Sequence, residues 1–248
     1  MVLIFDMDGV IVDNHQWHFD AWLEFGRRHG IPITKGDFSR HFGSTNQQVM
    51  KSLFGESISE KEISDLSDEK ENIYRELYQS HIKPVKGLSK FLKYASDRKI
   101  PVALATSAPT ENVRFTLKAT GLEKYFDVIT DSSMVSRGKP DPQVYLITAE
   151  KLGVQPADCI VFEDSVPGIL SATKAGMRVI GVATTHKPDE LLMYVTEIIM
   201  NFDAAERLVF DGLFGFCEGF GDEARGEKAR GEGRQGEGQL GKGRLGEG

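Results

Sequence analysis

The feature that most limits the fold of this chain is a strand with nothing beside it. Val2-Leu3-Ile4-Phe5 is a short apolar run with β-branched members and reads as a buried strand. A strand of that length is not stable alone. No convincing strand follows until Pro101-Val102-Ala103-Leu104-Ala105, and the intervening pattern is helical. Trp17, Ala21, Trp22 and Phe25 recur at three- and four-residue spacing up to a break at Gly30-Ile31-Pro32. Val49, Leu53 and Phe54 mark a second segment, and Ile63, Leu66, Ile73, Tyr74 and Leu77 a longer third. After a joint at Lys83-Pro84-Val85-Lys86-Gly87 comes a helix through Leu88, Phe91, Leu92 and Tyr94, and then strands and helices alternate. Strands are expected at Phe126–Thr130, Cys159–Phe162, Arg178–Val182 and Glu197–Met200. Helices are expected at Val113–Ala119, Pro142–Leu152 and Gly168–Ala175. Near-continuous apolar strands alternating with helices argue an α/β fold whose parallel sheet is covered on both faces. Residues 1–14 and 82–210 then form one core, and residues 15–81 are an all-helical insertion of roughly 65 residues, enough for a small bundle.

The opening strand runs directly into Asp6-Met7-Asp8-Gly9-Val10-Ile11-Val12-Asp13. Three carboxylates at the exit of a buried strand are costly unless they bind a cation or do chemistry. Residues two apart on an extended chain face the same side, so Asp6 and Asp8 can reach one centre, and Gly9 lets the chain turn. The bland alternative is a strand ending in a solvated acidic turn.

A net charge of -7 gives no basic field for nucleic acid. No apolar run approaches a membrane span, and the start of the chain lacks a signal-peptide pattern, so the expectation is a cytoplasmic protein with no membrane partner. Of the two cysteines, Cys159 and Cys217, the first falls in an expected strand and reads as a structural thiol rather than a disulfide or metal ligand. Half of the 26 glycines lie in residues 211–248, within a repetitive Gly/Glu/Arg/Lys/Gln segment. With almost no apolar residues to bury, that segment reads as a disordered tail.

Ligands gather at the carboxyl ends of parallel strands. The first strand presents Asp6 and Asp8 there. The second presents Thr106-Ser107-Ala108-Pro109, whose hydroxyls and helix-opening N–H groups suit a phosphate oxyanion. The strand at Cys159 presents Glu163-Asp164-Ser165, and Gly138-Lys139-Pro140-Asp141-Pro142 places one lysine in a rigid loop. Each has a plain structural explanation, as an N-cap, a surface cation or an acidic turn. Their joint arrival at strand ends is what points to a site.

Asp6-Met7-Asp8-Gly9-Val10, Thr106-Ser107, Lys139-Pro140 and Glu163-Asp164-Ser165 resemble, in order and spacing, the four-motif set of the haloacid dehalogenase (HAD) superfamily. The resemblance covers about residues 1 to 210 and is nearest the β-phosphoglucomutase-like phosphatase branch. It implies a Rossmann-like core with a helical cap over residues 15–81. It also implies a Mg²⁺-dependent phosphatase of small phosphorylated metabolites, sugar phosphates in particular, working through an aspartyl phosphate. Asp6 becomes the nucleophile, Asp8 the proton carrier and Lys139 the charge-neutralising catalytic cation. Thr106, Ser107 and Lys139 hold the phosphoryl group. The metal set is Asp6, the backbone carbonyl of Asp8, Glu163 and Asp164. A carboxylate at position 8 favours phosphoryl transfer, because the dehalogenases and phosphonate-cleaving members lack one there. Asp13 is left without chemistry, at the joint into the cap.

The same resemblance assigns His18, Asn46 and Lys70 as cap contacts to substrate. Asn46 stands where the mutase has an arginine for a second phosphate, and an amide offers neither charge nor a bidentate fork; Arg40 is a nearby alternative. The runner-up activity is therefore interconversion of β-glucose 1-phosphate and glucose 6-phosphate. Two other classes, a non-catalytic phosphate sensor and a phospho-acceptor receiver domain, fit less well. The first would not need the full acid set, and the second has no large helical insert. The protein is expected to act as a monomer.

Overall fold

A computed structural model describes residues 1–41 and 45–210, with side chains throughout these except at 39–41. Arg40's side chain, most of the loop before Asn46, Cys217 and the glycine-rich tail lie outside the described residues.

In chain order, β1 (Val2–Phe5) is followed by four helices, α1 (His15–His29), α2 (Lys35–His41), α3 (Asn46–Phe54) and α4 (Glu60–Tyr78). The alternating part runs α5 (Leu88–Asp97), β2 (Val102–Ala105), α6 (Thr110–Thr120), β3 (Val128–Thr130), α7 (Gln143–Leu152), β4 (Cys159–Glu163), α8 (Val166–Lys174) and β5 (Arg178–Val182). Two short helices flank the last strand: α9 (Pro188–Leu191), β6 (Glu197–Ile199) and α10 (Ala205–Phe210). All six strands pair in parallel in the order β3-β2-β1-β4-β5-β6. The first strand is therefore central, and its partners come from beyond the helical insertion.

Strand alternation explains why no strand face is polar. Leu3 and Phe5 point into one layer, with Leu104, Phe162, Phe91 and Phe202, while Val2 and Ile4 point into the other, with Val161, Val144 and Tyr145. Phe5 and Phe162 stack with centroids 4.7 Å apart, and Phe91 and Phe202 meet them edge-on or tilted. Burial of each such ring contributes on the order of 1.5–3 kcal/mol. This aromatic layer fixes the register of β1 against β4, and the register sets where the acids that follow will stand.

The insertion is held by its own rules. In α3 and α4 the first turn is closed reciprocally, by Thr45 with Gln48 and by Ser59 with Glu62. The long α4 packs on α1, burying Trp22, Phe25, Ile73, Tyr74 and Tyr78. The chain leaves the sheet and returns at one place: the Val85 N–H donates to the Ile11 carbonyl at 2.9 Å, and Val12 bridges to Pro84.

Candidate active site

Strand register assembles the site. Phe5 pairs with Phe162, and the Asp6 N–H donates to the Phe162 carbonyl at 3.0 Å, so Asp6 stands beside Glu163 at the ends of adjacent strands. Thr106 leaves β2 on the other side of β1. The order reverses at β1, the point where open parallel sheets bind ligands. Lys139, from the loop before α7, enters between the acids, 2.9 Å from Asp6 Oδ1 and 2.6 Å from Glu163 Oε1.

Glu163 has no bonding capacity left. Its Oε1 accepts from Lys139 and from the Tyr145 hydroxyl at 3.1 Å, and its Oε2 accepts from the Ser165 N–H and hydroxyl, each at 3.0 Å. Four donors fill the four lone-pair positions of a carboxylate. The fully buried Glu163 is therefore a fixed anchor for Lys139. Its seat requires glycine at 168, where a Cβ would lie 1.6 Å from Glu163 Oε1. Gly9 has a parallel role: its φ is +79°, and a Cβ there would lie 1.9 Å from Asp164 Oδ2.

Asp6, Glu163 and Asp164 each bring a buried carboxylate oxygen within 4.8 Å of the others. Burial pushes the Asp6 carboxyl up to about 7, against the pull of Lys139 and with Glu163 and Asp8 adding to the rise. Burial, then Glu163 and Asp6, also hold Asp164 well above the ordinary carboxylate range. Both acids thus bind protons more tightly folded than unfolded, so folding stability without metal falls as they ionise with rising pH. In chelator, the unfolding temperature should fall between about pH 5 and about pH 7. Calorimetry showing a flat or rising temperature across that window would refute this account of the cluster.

The Asp8 carboxylate turns away from this cluster, so a metal expectation at position 8 rests on its backbone carbonyl alone. The side chain accepts from Asn14 Nδ2 at 2.6 Å and lies 3.7 Å from His18 Nε2. Burial raises its pKa, but the polar groups of His18 and Asn14 outweigh that and hold it below the usual value. Asn14 is fully buried and also donates to the Tyr74 hydroxyl at 2.7 Å. His18 stacks on Tyr74 with ring centroids 3.9 Å apart, and its Nδ1 lies 2.9 Å from Lys70 Nζ. Lysine only donates, so Nδ1 accepts, and the ring proton sits on Nε2, facing Asp8.

The expected site residues Asp6, Asp8, Thr106, Ser107, Lys139, Asp164, His18, Asn46 and Lys70 line one pocket between sheet and helices. The Thr106 hydroxyl oxygen accepts from the Ala108 N–H at 3.1 Å, which leaves its hydrogen for a ligand. Lys70 is buried rather than solvated, 2.9 Å from Glu71 Oε1 and 5.1 Å above the Trp22 ring. Asp13 is exposed. Sequence reasoning passed over Asn14, Tyr74, Glu71, Asn112 and Tyr145. Only Asn14 carried a local hint, as a polar residue directly after the acidic motif.

The donor set fits a hard divalent cation. Asp6 Oδ1 is buried and its partner is Lys139 at 2.9 Å. Three buried carboxylates around a single lysine keep excess negative charge, which suits an oxygen-seeking cation. Asp164 has one oxygen bonded to the Thr185 hydroxyl and can turn the rest of the group inward. Glu163, with every lone pair used, fits behind the ion as the group that fixes its neighbours.

Comparison with known proteins identifies the family. The family described as haloacid dehalogenase-like hydrolase matches residues 3–182. A phosphorylated carbohydrates phosphatase of Thermotoga maritima is 31% identical over 217 residues, which cover 79% of this chain and 99% of that protein. A β-phosphoglucomutase of Bacillus subtilis is 31% identical over 188 residues, 73% of this chain and 82% of that protein. Among solved structures, a family IA HAD hydrolase of Entamoeba histolytica superposes with a TM-score of 0.74 at 33% identity, covering 81% of this chain and 93% of that one. With a matched segment that runs from the first strand to the fifth and takes in all four acid, hydroxyl and lysine motifs, this chain belongs to the haloacid dehalogenase-like hydrolases.

Proposed function

We propose that this protein is a Mg²⁺-dependent phosphatase that hydrolyses small phosphorylated metabolites, sugar phosphates foremost, through an aspartyl phosphate on Asp6. The observation that carries the reading is the buried Asp6 carboxylate, held by Lys139 at 2.9 Å in a pocket that also presents Asp8 and Thr106. A carboxylate fixed beside a buried cation, facing the phosphate cradle, is placed to attack phosphorus. In the first half-reaction an Asp6 oxygen bonds to phosphorus, the ester P–O bond breaks, and the Asp8 proton passes to the leaving oxygen. In the second, water attacks phosphorus, gives its proton to Asp8, and the Asp6–phosphorus bond breaks. Asp8 is suited to the second role by its depressed pKa. A phosphoryl dianion beside it raises that pKa by like-charge repulsion and suits it to the first.

Thr106 and Ser107 hold phosphoryl oxygens at the end of β2, and Lys139 neutralises charge that builds on them. Asp6, Asp164 and the Asp8 carbonyl are the ligands for Mg²⁺, which when bound offsets the repulsion between an anionic nucleophile and an anionic phosphoryl group. Hydrolysis is favoured over the mutase reaction by Asn46, whose amide is already committed to Glu71 at 2.9 Å. The name of the Thermotoga relative points the same way. Release of phosphate from an aryl phosphate should stop on addition of a chelator and return with excess Mg²⁺. A rate indifferent to the chelator would overturn the metal assignment.

A further inference from the structure

The helical side of the pocket holds a carboxylate that the phosphatase chemistry does not use. Glu71, on α4, is buried and lines the pocket. Its Oε1 accepts from Asn46 and Lys70, both at 2.9 Å, and its Oε2 accepts from Asn112 Nδ2 at 2.6 Å. The orientation of Asn112 is enforced: Arg75 Nη1 donates to Asn112 Oδ1 at 2.5 Å, and since arginine only donates, the amide nitrogen must face Glu71. Three donors leave one lone-pair position on Oε2 open. Burial pushes the Glu71 carboxyl up, but Lys70 chiefly, with help from His18 and Asn46, pulls it down to about 2.

The charge balance follows from these pairings. Among the described residues that line the pocket, the lysines are Lys70 and Lys139, and each is already matched, Lys70 by Glu71 and Lys139 by Asp6 and Glu163. Trp22, Ile33, Phe38, Val49 and Leu53 give the wall an apolar stretch, and Asp37 beside them adds a further acid. A second phosphate or a carboxylate on the substrate would enter next to an anion, with no unmatched lysine or arginine among the described lining residues, which is strongly disfavoured. A hydroxyl would instead donate to the open position on Glu71 while its carbon skeleton packs on the apolar wall.

We propose that Glu71 is the specificity-determining residue of this site, selecting monophosphate esters with an uncharged, hydroxyl-bearing leaving group and rejecting those with a second acidic group. The proposal rests on the phosphatase reading for which end of the ligand faces Asp6. Because Glu71 lies on α4 and Asn112 on α6, the selecting group is wired only when the helical insertion lies against the sheet portion.

The test compares two esters that differ by one phosphate, fructose 1-phosphate and fructose 1,6-bisphosphate. Calorimetric binding to Asp6→Asn protein with Mg²⁺ reads recognition without turnover, and release of phosphate from an aryl phosphate by the unaltered protein reads the chemistry. Asp6→Asn should bind the monophosphate at least about tenfold more tightly than the bisphosphate. Adding Glu71→Gln in the same background should shrink that preference by about tenfold, mainly through tighter binding of the bisphosphate. Equal binding of the two esters to Asp6→Asn overturns the proposal whether or not the double variant folds. So does a preference that Glu71→Gln leaves unchanged in a folded protein. Failure to hydrolyse the aryl phosphate, with the binding preference intact, would instead count against the phosphatase reading and leave the selectivity standing.

Discussion

Asp6→Asn should lower phosphate release from an aryl phosphate by about 10⁴-fold or more, the scale seen when a nucleophile that acts within a concerted group is removed. The substitution is nearly isosteric, so the pocket keeps its shape. Stability should move in the opposite direction. The fold raises the Asp6 carboxyl to about 7, which means that ionising this group at neutral pH works against folding. Without metal at pH 7.5, the variant should therefore unfold at a higher temperature than the parent. That pairing, lost turnover with gained stability, separates a nucleophile from a structural acid, whose removal would lower both. Turnover within tenfold of the parent would refute the aspartyl-phosphate route.

Lys139→Met is the complementary case, since it should cost both activity and stability. The lysine is almost completely buried and pairs with two carboxylates at once. Desolvation acts to lower its pKa, yet Asp6 and Glu163 outweigh it and hold the ammonium well above its usual range, so it is charged at any working pH. Methionine keeps the length and loses the charge. Removing one partner of a buried ion pair costs about 3–5 kcal/mol. For a chain of this size each kcal/mol lowers the unfolding temperature by about 2–4 °C, so a drop of roughly 10 °C is expected by calorimetry. Turnover should fall by at least about 10²-fold, because the developing phosphoryl charge loses a preorganised partner. An unaltered unfolding temperature would show that Asp6 and Glu163 find compensation elsewhere.

The sheet was legible from sequence because its strands are apolar on both faces and end abruptly in acids or hydroxyls. Val2–Phe5 and Arg178–Val182 occupy the expected residues, and the other strands differ only at their ends. The expected strand from Phe126 begins two residues later because Glu123–Tyr125 first forms a tight helical turn that carries the chain over the sheet edge. The short helices α9 and α10 were missed, since four and six residues are too few for a helical period to show. Asp6, Thr106, Lys139 and Glu163 could be found because each stands beside a recognisable strand or proline-rich loop.

The residues around Glu71 could not. Glu71 follows Lys70 in a run of charges that looks like any solvated helix face, and its partners Asn46 and Asn112 lie 25 and 41 residues away. Only packing of α3, α4 and α6 turns those three polar residues into one network. The same limit applies to Tyr145, which reads as an ordinary apolar position of α7 and yet sends its hydroxyl to Glu163.

The central position of β1 also bears on how the chain is made. During synthesis this strand exists before either of its neighbours: β2 follows only after the whole helical insertion, and β4 later still. Until then Leu3, Phe5 and the buried turn after them have nothing to pair with, while α1 to α4 can already associate through contacts close in sequence. Folding should thus begin in the helices, and β1 is flanked on both sides only when β4 docks, a slow order for a parallel sheet. In the interval an unpaired apolar strand stays open to chaperones or to a neighbouring nascent chain. Asp6 meets Glu163 and Asp164 only at that docking, so a chain that stops before β4 lacks the assembled acid cluster.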